Sequence, residues 1–310
     1  MTFDFMIAVL ATAVTAGTPI FYAALGELFC ERAGVLNLGV EGMMLVGAVT
    51  GFLAGSAAQN HWAGLAAAMA AGGIMAFIHA FLSISLRANQ VVSGLALTIF
   101  GTGLSAYLGK PLVGQPLPDP FRTLDIPVLS SIPVIGPVLF QHDILVLISY
   151  LLAPVCWFII FRTRAGLNLR AVGDNPGAAD SLGVKVYLTR YLGVIVGGML
   201  AGIGGAYISM AYVPTWMENM VAGRGWIAVA LVIFATWNPL NALWGSYVFG
   251  GMDALGYRLQ AVDVNISPYF LKMLPYLFTV FVLILVTQRN MVHRIGAPKA
   301  LSVAYDREER

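Results

Sequence analysis

The chain has 310 residues, of which 59% are hydrophobic and only 10% charged, and its formal net charge is +2. A soluble domain carries roughly a quarter charged residues, and here the apolar residues fall into runs long enough to cross a bilayer, about 20 residues per helix. Composition therefore excludes a soluble enzyme or binding module and gives an all-α polytopic membrane protein; the small positive balance is no sign of nucleic acid, because the basic residues gather in loops at one membrane face.

The first apolar block runs from Phe5 to Leu25, with Thr18-Pro19 as a site where a missing backbone donor can bend it. It is too long for the core of a signal peptide and lacks a basic stretch before it, so no cleavable signal is expected. The second block, Gly34 to about Ala58, opens on GVLNLGVEGMM and places Asn37 and Glu41 among glycines. A carboxylate at membrane depth is costly and is placed against protein or a watery path. Gly47, Gly51 and Gly55 then recur every four residues, a flat face for close helix packing. The third block, Trp62 to Leu86, contains His79, read as a hydrogen-bonded structural histidine rather than a ligand. Asn89 and Gln90 open the fourth, which ends at Gly109.

Lys110 to Asp143 is the longest connection, rich in proline, and is placed outside as a partly ordered cap or interfacial segment. Ile144 to Phe161 is the fifth block. It leads into the polar loop 162–190, which carries Arg162, Arg164, Arg170, Lys185 and Arg190 against only Asp174 and Asp180. An excess of Lys and Arg in a short loop marks the cytoplasmic side. Within the loop the residues predict a helix over Pro176 to Leu182: Asp174 or Asn175 can cap it, Pro176 suits its first turn, and Gly183 suits the position past its end. A helix this short needs something to pack against, and the expected support is a separate cytoplasmic protein.

Tyr191 to Val213 is the sixth block, with a GxxxG pair at Gly198 and Gly202 extended by Gly205. Pro214 to Gly225 forms an outside loop. Trp226 to Trp237 is only part of a span and is broken at Asn238-Pro239; with Leu240 to Gly256 it reads as two shortened spans or as a re-entrant element lining a cavity. Pro268 to Thr287 is the last block, with Lys272 placed to reach the outer interface. The tail, 288–310, carries Arg289, His293, Arg294, Lys299, Arg307 and Arg310 and lies inside. Counting back from the inside loop gives about nine spans, within a range of roughly eight to ten, with the N-terminus outside. The whole chain, 1–310, reads as one transmembrane domain.

No phosphate-cradling G-x-x-x-x-G-K-[ST] loop occurs, and no Ser-His-Asp or H-E-x-x-H arrangement. Glu41, His79 and Asp253 are scattered over different helices, so no catalytic residue is assigned. Cys30 and Cys156 lie far apart without metal spacing, and no metal site is expected. Asn37 and Glu41 have two readings: they satisfy exposed backbone at a helix break, or they line a solute path. Asn89, Gln90 and Ser93 carry the same alternatives. Uncharged donors and acceptors suit a neutral, hydroxyl-rich solute, whereas ion carriers more often show paired intramembrane charges.

ELFCERAGVLNLGVEGMMLVGA, NQVVSGLALTIFGTGLSAYLG and GLNLRAVGDNPGAADSLGVKV resemble the permease subunits of bacterial ABC importers for simple sugars and nucleosides, a group that includes the ribose and branched-chain amino-acid permeases. ERAGVLNLGVEGMM is most similar to the shorter of two paired permeases in nucleoside importers, and the resemblance extends from about Thr18 to Arg258. It implies a type II importer fold in the bacterial inner membrane. It also implies a cytoplasmic ABC ATPase that uses ATP and magnesium, so that this chain itself holds no cofactor. The further partners it implies are a periplasmic or lipid-anchored binding protein and a second homologous permease, in a heterodimer or else a homodimer, with membrane lipid around them. The segment matched by Asn175 to Gly183 is that family's coupling helix, so Arg170, Gly173, Asp174, Asn175, Pro176, Ala178, Ala179 and Gly183 become the residues expected to meet the ATPase. Ala235-Thr236 stands where such permeases often carry a glycine with a basic residue, a departure at that turn. The rival readings are an ion-coupled secondary transporter of nucleobases working alone, and an integral membrane enzyme.

Overall fold

The structure is a computed structural model that describes residues 3–261, 268–288 and 296–307. The side chain of Lys272, and Arg289, His293, Arg294 and Arg310, lie outside the described residues.

Each apolar block of the sequence becomes a helix. In chain order these are α1 (Phe3–Arg32), α2 (Val40–Ala58), α3 (His61–Ala80), α4 (Gln90–Gly109) and α5 (Ile144–Arg162), the two short helices α6 (Arg164–Asp174) and α7 (Pro176–Ser181), then α8 (Val186–Tyr207), α9 (Arg224–Phe234), α10 (Pro239–Ala261) and α11 (Pro268–Gln288). α3 and α8 each continue into one widened turn, over Phe81–Ser85 and Ile208–Tyr212. Short polar side chains start several of them. Asn60 accepts from the Trp62 N–H, Asn89 from Val92, and Asp143 from Leu145 and Val146, each satisfying donors that the first helical turn leaves unpaired.

Among the described residues, six helices are long and apolar enough to cross a membrane. The expected count of about nine is therefore looser than what length and composition support. α9, with 11 residues, extends only about 16 Å, roughly half the hydrocarbon thickness. The re-entrant alternative for this part of the chain rested on that shortness.

α8 is the hub, packing on α1, α2 and α3, while α1 also carries α10. Small residues set these approaches. A Cβ on Gly47 would lie 2.5 Å from the Gly202 carbonyl oxygen, and one on Gly205 would overlap that of Met44. Helix backbones this close gain dispersion contacts that larger residues would block. Around this centre lie fully buried Phe21, Tyr22, Met43, Met44 and Phe52.

The proline-rich segment after α4 is an ordered cap. Thr123–Asp125 (β1) pairs antiparallel with Gln141–Asp143 (β2). Leu117 N–H donates to Pro214 O and Phe121 N–H to Met210 O, both at 3.0 Å. His61 Nδ1 meets Asp119 Oδ2 at 2.7 Å, so the cap is fastened to the α2–α3 turn as well as to the end of α8. At the other end of the bundle lie the end of α1, the α3–α4 turn, α6, α7 and the segment 296–307, joined by Arg87 to Asp306 and Arg190 to Val303 O. This is the end that carries the basic loop.

Candidate functional site

α6 and α7 form a bent projection at the basic end. Thr163 starts α6 by accepting from Gly166 N–H at 3.2 Å. Asn175 then breaks the helix with extended backbone (φ −152°, ψ 90°) and caps α7, its Oδ1 accepting from Ala178 N–H at 3.0 Å. Pro176 is the first helical residue, where its missing N–H removes nothing. At the far end Gly183 has φ +84°. Gly183 N–H donates to Asp180 O at 2.9 Å and Val184 N–H to Ala179 O at 3.0 Å, the paired bonds that close a helix through a left-handed residue.

The residues expected at the coupling surface are thus contiguous in space, but they face different ways. Ala179 is 3% exposed and packs with Val172, Val186, Val184 and Tyr305. It seats α7 on α6 and α8. Gly177, Ala178, Ser181 and Gly183 face outward. Leu182, absent from the sequence-derived set, is 85% exposed and is the large apolar group on this face. Its signal was available: it is the sole bulky apolar residue between Pro176 and Gly183. Gly173 lies against α1, where a Cβ would overlap Arg32 O, and its own carbonyl accepts from Ala300 N–H at 2.9 Å. Arg170 stacks over the Phe161 ring, 5.4 Å from its centroid, and lines a cavity together with Asp174.

The candidates for a solute path are tied into the protein. Asn37 Oδ1 accepts from Gly39 N–H at 2.9 Å, and Asn37 N–H donates to Glu27 Oε1 at 2.9 Å. Gln90 Oε1 accepts from Leu36 N–H at 2.8 Å; Ser93 Oγ meets His79 Nδ1 at 3.0 Å, and His79 Nε2 lies 3.0 Å from Leu36 O. These side chains hold the non-helical turn between α1 and α2, whose backbone has no ladder of its own. Asn89 is exposed and caps α4 at the basic end. Glu41 lies apart from them. Its Oε1 accepts from Gly223 N–H at 2.8 Å and its Oε2 from Gly225 N–H at 2.7 Å, so a carboxylate of α2 caps the N-terminus of α9, the end that favours negative charge.

Beside that cap is a charged group that scattered sequence positions concealed. Arg224 is 7% exposed. It reaches Asp253 Oδ2 of α10 at 3.5 Å, the Met220 and Val221 carbonyls at 3.3 and 3.2 Å, and the face of Tyr212 at 5.9 Å. Charges enclosed in a membrane bundle mark functional paths more often than packing. Among the described residues, no group of three His, Cys, Asp or Glu is placed to hold a metal ion.

The family model for the branched-chain amino acid transport system permease component matches residues 9–287. The chain belongs to that family. Among its relatives, TsgC13 of Haloferax volcanii, named as a candidate glucose ABC transporter permease protein, is 42% identical over 98% of this chain and 99% of its own. NupQ of Bacillus subtilis, named a guanosine ABC transporter permease protein, is 36% identical over 94% of each chain. A solved inward-facing ABC transporter, described as a candidate of metal-chelate type, shares the fold with a TM-score of 0.51 over 89% of this chain and 84% of its own, at 16% identity. The permease is accordingly a non-catalytic, multi-pass subunit of an ABC transporter in the inner membrane, and ATP is hydrolysed by a separate subunit. Membership of this family carries with it an ATPase partner and a substrate-binding protein.

Proposed function

We propose that this permease imports nucleosides or simple sugars by alternating access, driven through α7 by a cytoplasmic ATPase. Relatives named for glucose and for guanosine support the solute class. The observation that carries the mechanical part is α7 itself, closed at both ends by its own residues and presenting Ala178, Ser181 and Leu182 outward at the basic end. In this reading the segment 162–190 and the tail 288–310 of a single transmembrane domain face the cytoplasm. Arg170, Gly173, Asp174, Asn175, Pro176, Ala179 and Gly183 hold the projection in shape, and Ala178 with Leu182 meets the ATPase. ATP and magnesium stay on the partner. The binding protein docks at the opposite end, on the Lys110–Asp143 cap and the 214–225 loop. A second, homologous permease completes the path, as the likeness of ERAGVLNLGVEGMM to the shorter of two paired permeases suggests. Asn37, Glu41, Asn89, Gln90 and Ser93 act at the path through the backbone they hold, with Arg224 and Asp253 beside it. ATP shifts such a machine only through contacts that differ between its two states.

The test is reconstitution in liposomes with the companion subunits, following labelled guanosine, glucose and ribose. Uptake is expected to require ATP, and Leu182→Asp or Ala178→Arg is expected to abolish it and to release the ATPase on purification, with insertion and melting unchanged. Co-purification is expected to yield this chain and a second permease in equal amounts. Uptake by the isolated chain on an ion gradient would refute the ATP-driven reading.

A further inference from the structure

A cavity of about 660 Å³ opens at the basic end between the end of α1, α5, α6, the α9–α10 turn and the segment after Gly296, a volume in the range of small-ligand sites. Its lining is unbalanced in charge. Arg32, Arg170 and Lys299 contribute cations, and Asp174 the single carboxylate. No carboxylate among the described residues lies within ion-pair distance of either arginine.

The two guanidinium groups are held ready. Arg32 is 7% exposed, and its Nη1 and Nη2 donate to Gly296 O and Trp237 O at 3.0 and 3.1 Å. Its Nε, and that of Arg170, are buried without a hydrogen-bond partner. Both groups lie over the Phe161 ring, at 5.5 and 5.4 Å from its centroid, where the ring face attracts them. Glu31, next to Arg32 in sequence, is engaged elsewhere, accepting the Trp237 indole N–H. Asp174 lies near enough to offset part of this charge but pairs with neither guanidinium; a buried Arg32 and a half-buried Arg170 without a carboxylate in contact are unfavourable, and such a site gains by taking up an anion.

We infer that this cavity binds a phosphate-type anion through Arg32, Arg170 and Lys299. Three cations against one carboxylate leave two positive charges in excess, which suits a phosphate monoester at neutral pH, and arginine pairs matched to phosphate oxygens are the usual recognition device. A soluble phosphate, with up to two charges, and the phosphodiester headgroup of an anionic lipid, with one, both present the oxygens that such a site recognises; Arg32 ends a long apolar helix at this cavity. The inference stands on the cavity and its charge and is independent of how α7 works.

The test uses the full chain. Inorganic phosphate is titrated by calorimetry into detergent-purified protein, and native mass spectrometry compares lipid retained from nanodiscs of phosphatidylglycerol with those of phosphatidylcholine. Binding of inorganic phosphate assigns the soluble source, and selective retention of phosphatidylglycerol the lipid source; either supports the site. Arg170→Gln and Lys299→Gln are each expected to weaken binding about tenfold or more, the effect of losing a charge-assisted hydrogen bond. Asp174→Asn is expected to tighten it, a gain that misfolding cannot imitate. Three results overturn the inference: neither probe binding at millimolar concentration, an affinity indifferent to Asp174→Asn, or exclusion of both probes once the ATPase is bound, which would make the cavity an ATPase contact.

Discussion

Gly183 offers a clean perturbation of the projecting helix. Its φ is +84°, and a Cβ there would meet nothing within 4 Å. Replacement by alanine therefore brings no clash with other groups, and the whole cost is that of holding an L-residue in left-handed backbone, about 1–2 kcal/mol. That cost falls on a helix of 6 residues whose other supports include one cap hydrogen bond, two closing bonds, the ion pair of Asp180 with Arg307 and the small cluster around Ala179. A change of 1–2 kcal/mol alters a local equilibrium by a factor of about 5–30. Amides from Ala178 to Val184 are expected to exchange with deuterium faster by about that factor in Gly183→Ala, while the helices of the main core keep their protection. Uptake per ATP in the reconstituted transporter should fall with it. Gly183→Asn is the control, because asparagine tolerates this conformation and should recover part of the loss. Wild-type exchange in Gly183→Ala, or equal exchange in the alanine and asparagine variants, would show that the left-handed closure does not hold α7.

At the α9–α10 turn, Thr236 has φ +52°, strained for a β-branched residue; Thr236→Gly is expected to raise stability by about 1 kcal/mol, read as a higher melting temperature, and an unchanged or lower one would argue against strain there. Glu41→Ala strands two backbone donors of α9 and is expected to cost about 2–6 kcal/mol, whereas Glu41→Gln keeps one acceptor and should cost less; equal melting of all three proteins would refute the cap. At the opposite end, the hydrogen bond to His61 holds the Asp119 carboxyl below its usual range. A depressed pKa contributes stability that is present above about pH 4 and lost as pH falls through the lower folded value. Asp119→Asn at neutral pH, or acid on the wild type, should therefore speed proteolysis of the 110–143 cap, and indifference to both would sink the latch. Gly205→Ala, which drives a Cβ into the Met44 carbonyl, should markedly lower the yield of folded protein in detergent, while Gly103→Ala, with nothing within 4 Å, should not.

What the sequence disclosed about α7 was local chemistry. Asn175, Pro176 and Gly183 each act on backbone within a few residues of themselves, so their types at that spacing already specify a capped, short helix. The same holds for Asn89 and for the glycine runs of α2 and α8, whose periods place small residues on one helix face. Glu41 was legible only as a costly carboxylate needing a partner. That its partners would be Gly223 and Gly225, more than 180 residues on, depends on how α2 and α9 are set against each other, and no local pattern encodes that. Arg224 and Asp253 stayed unjoined for the same reason. Ala179 shows the converse error of emphasis: its place in a coupling motif suggested an outward contact, yet small side chains at such spacings serve equally to let helices close in, and here it lies beneath α7 while Leu182 stands outside.

These placements determine what a push on α7 can do. Through Ala179 and Val186 the helix rests on the first turn of α8, and α8 touches α1, α2 and α3 along backbone-to-backbone approaches at Gly197, Gly202 and Gly205. Interfaces that tight do not deform gradually, so displacement of α7 moves α8 together with its three neighbours. Of the long helices, α4 and α5 are the less enclosed, whereas α2 and α8 are largely buried. In the proposed mechanism, relative motion is then expected between the α1–α2–α3–α8 block and the subunit or lipid against α4 and α5. Disulfides distinguish the two cases: a cysteine pair joining α8 to α2 near Gly202 and Gly47 should leave transport intact if the block moves as one, and loss of transport on oxidation would show that the motion runs through the block instead.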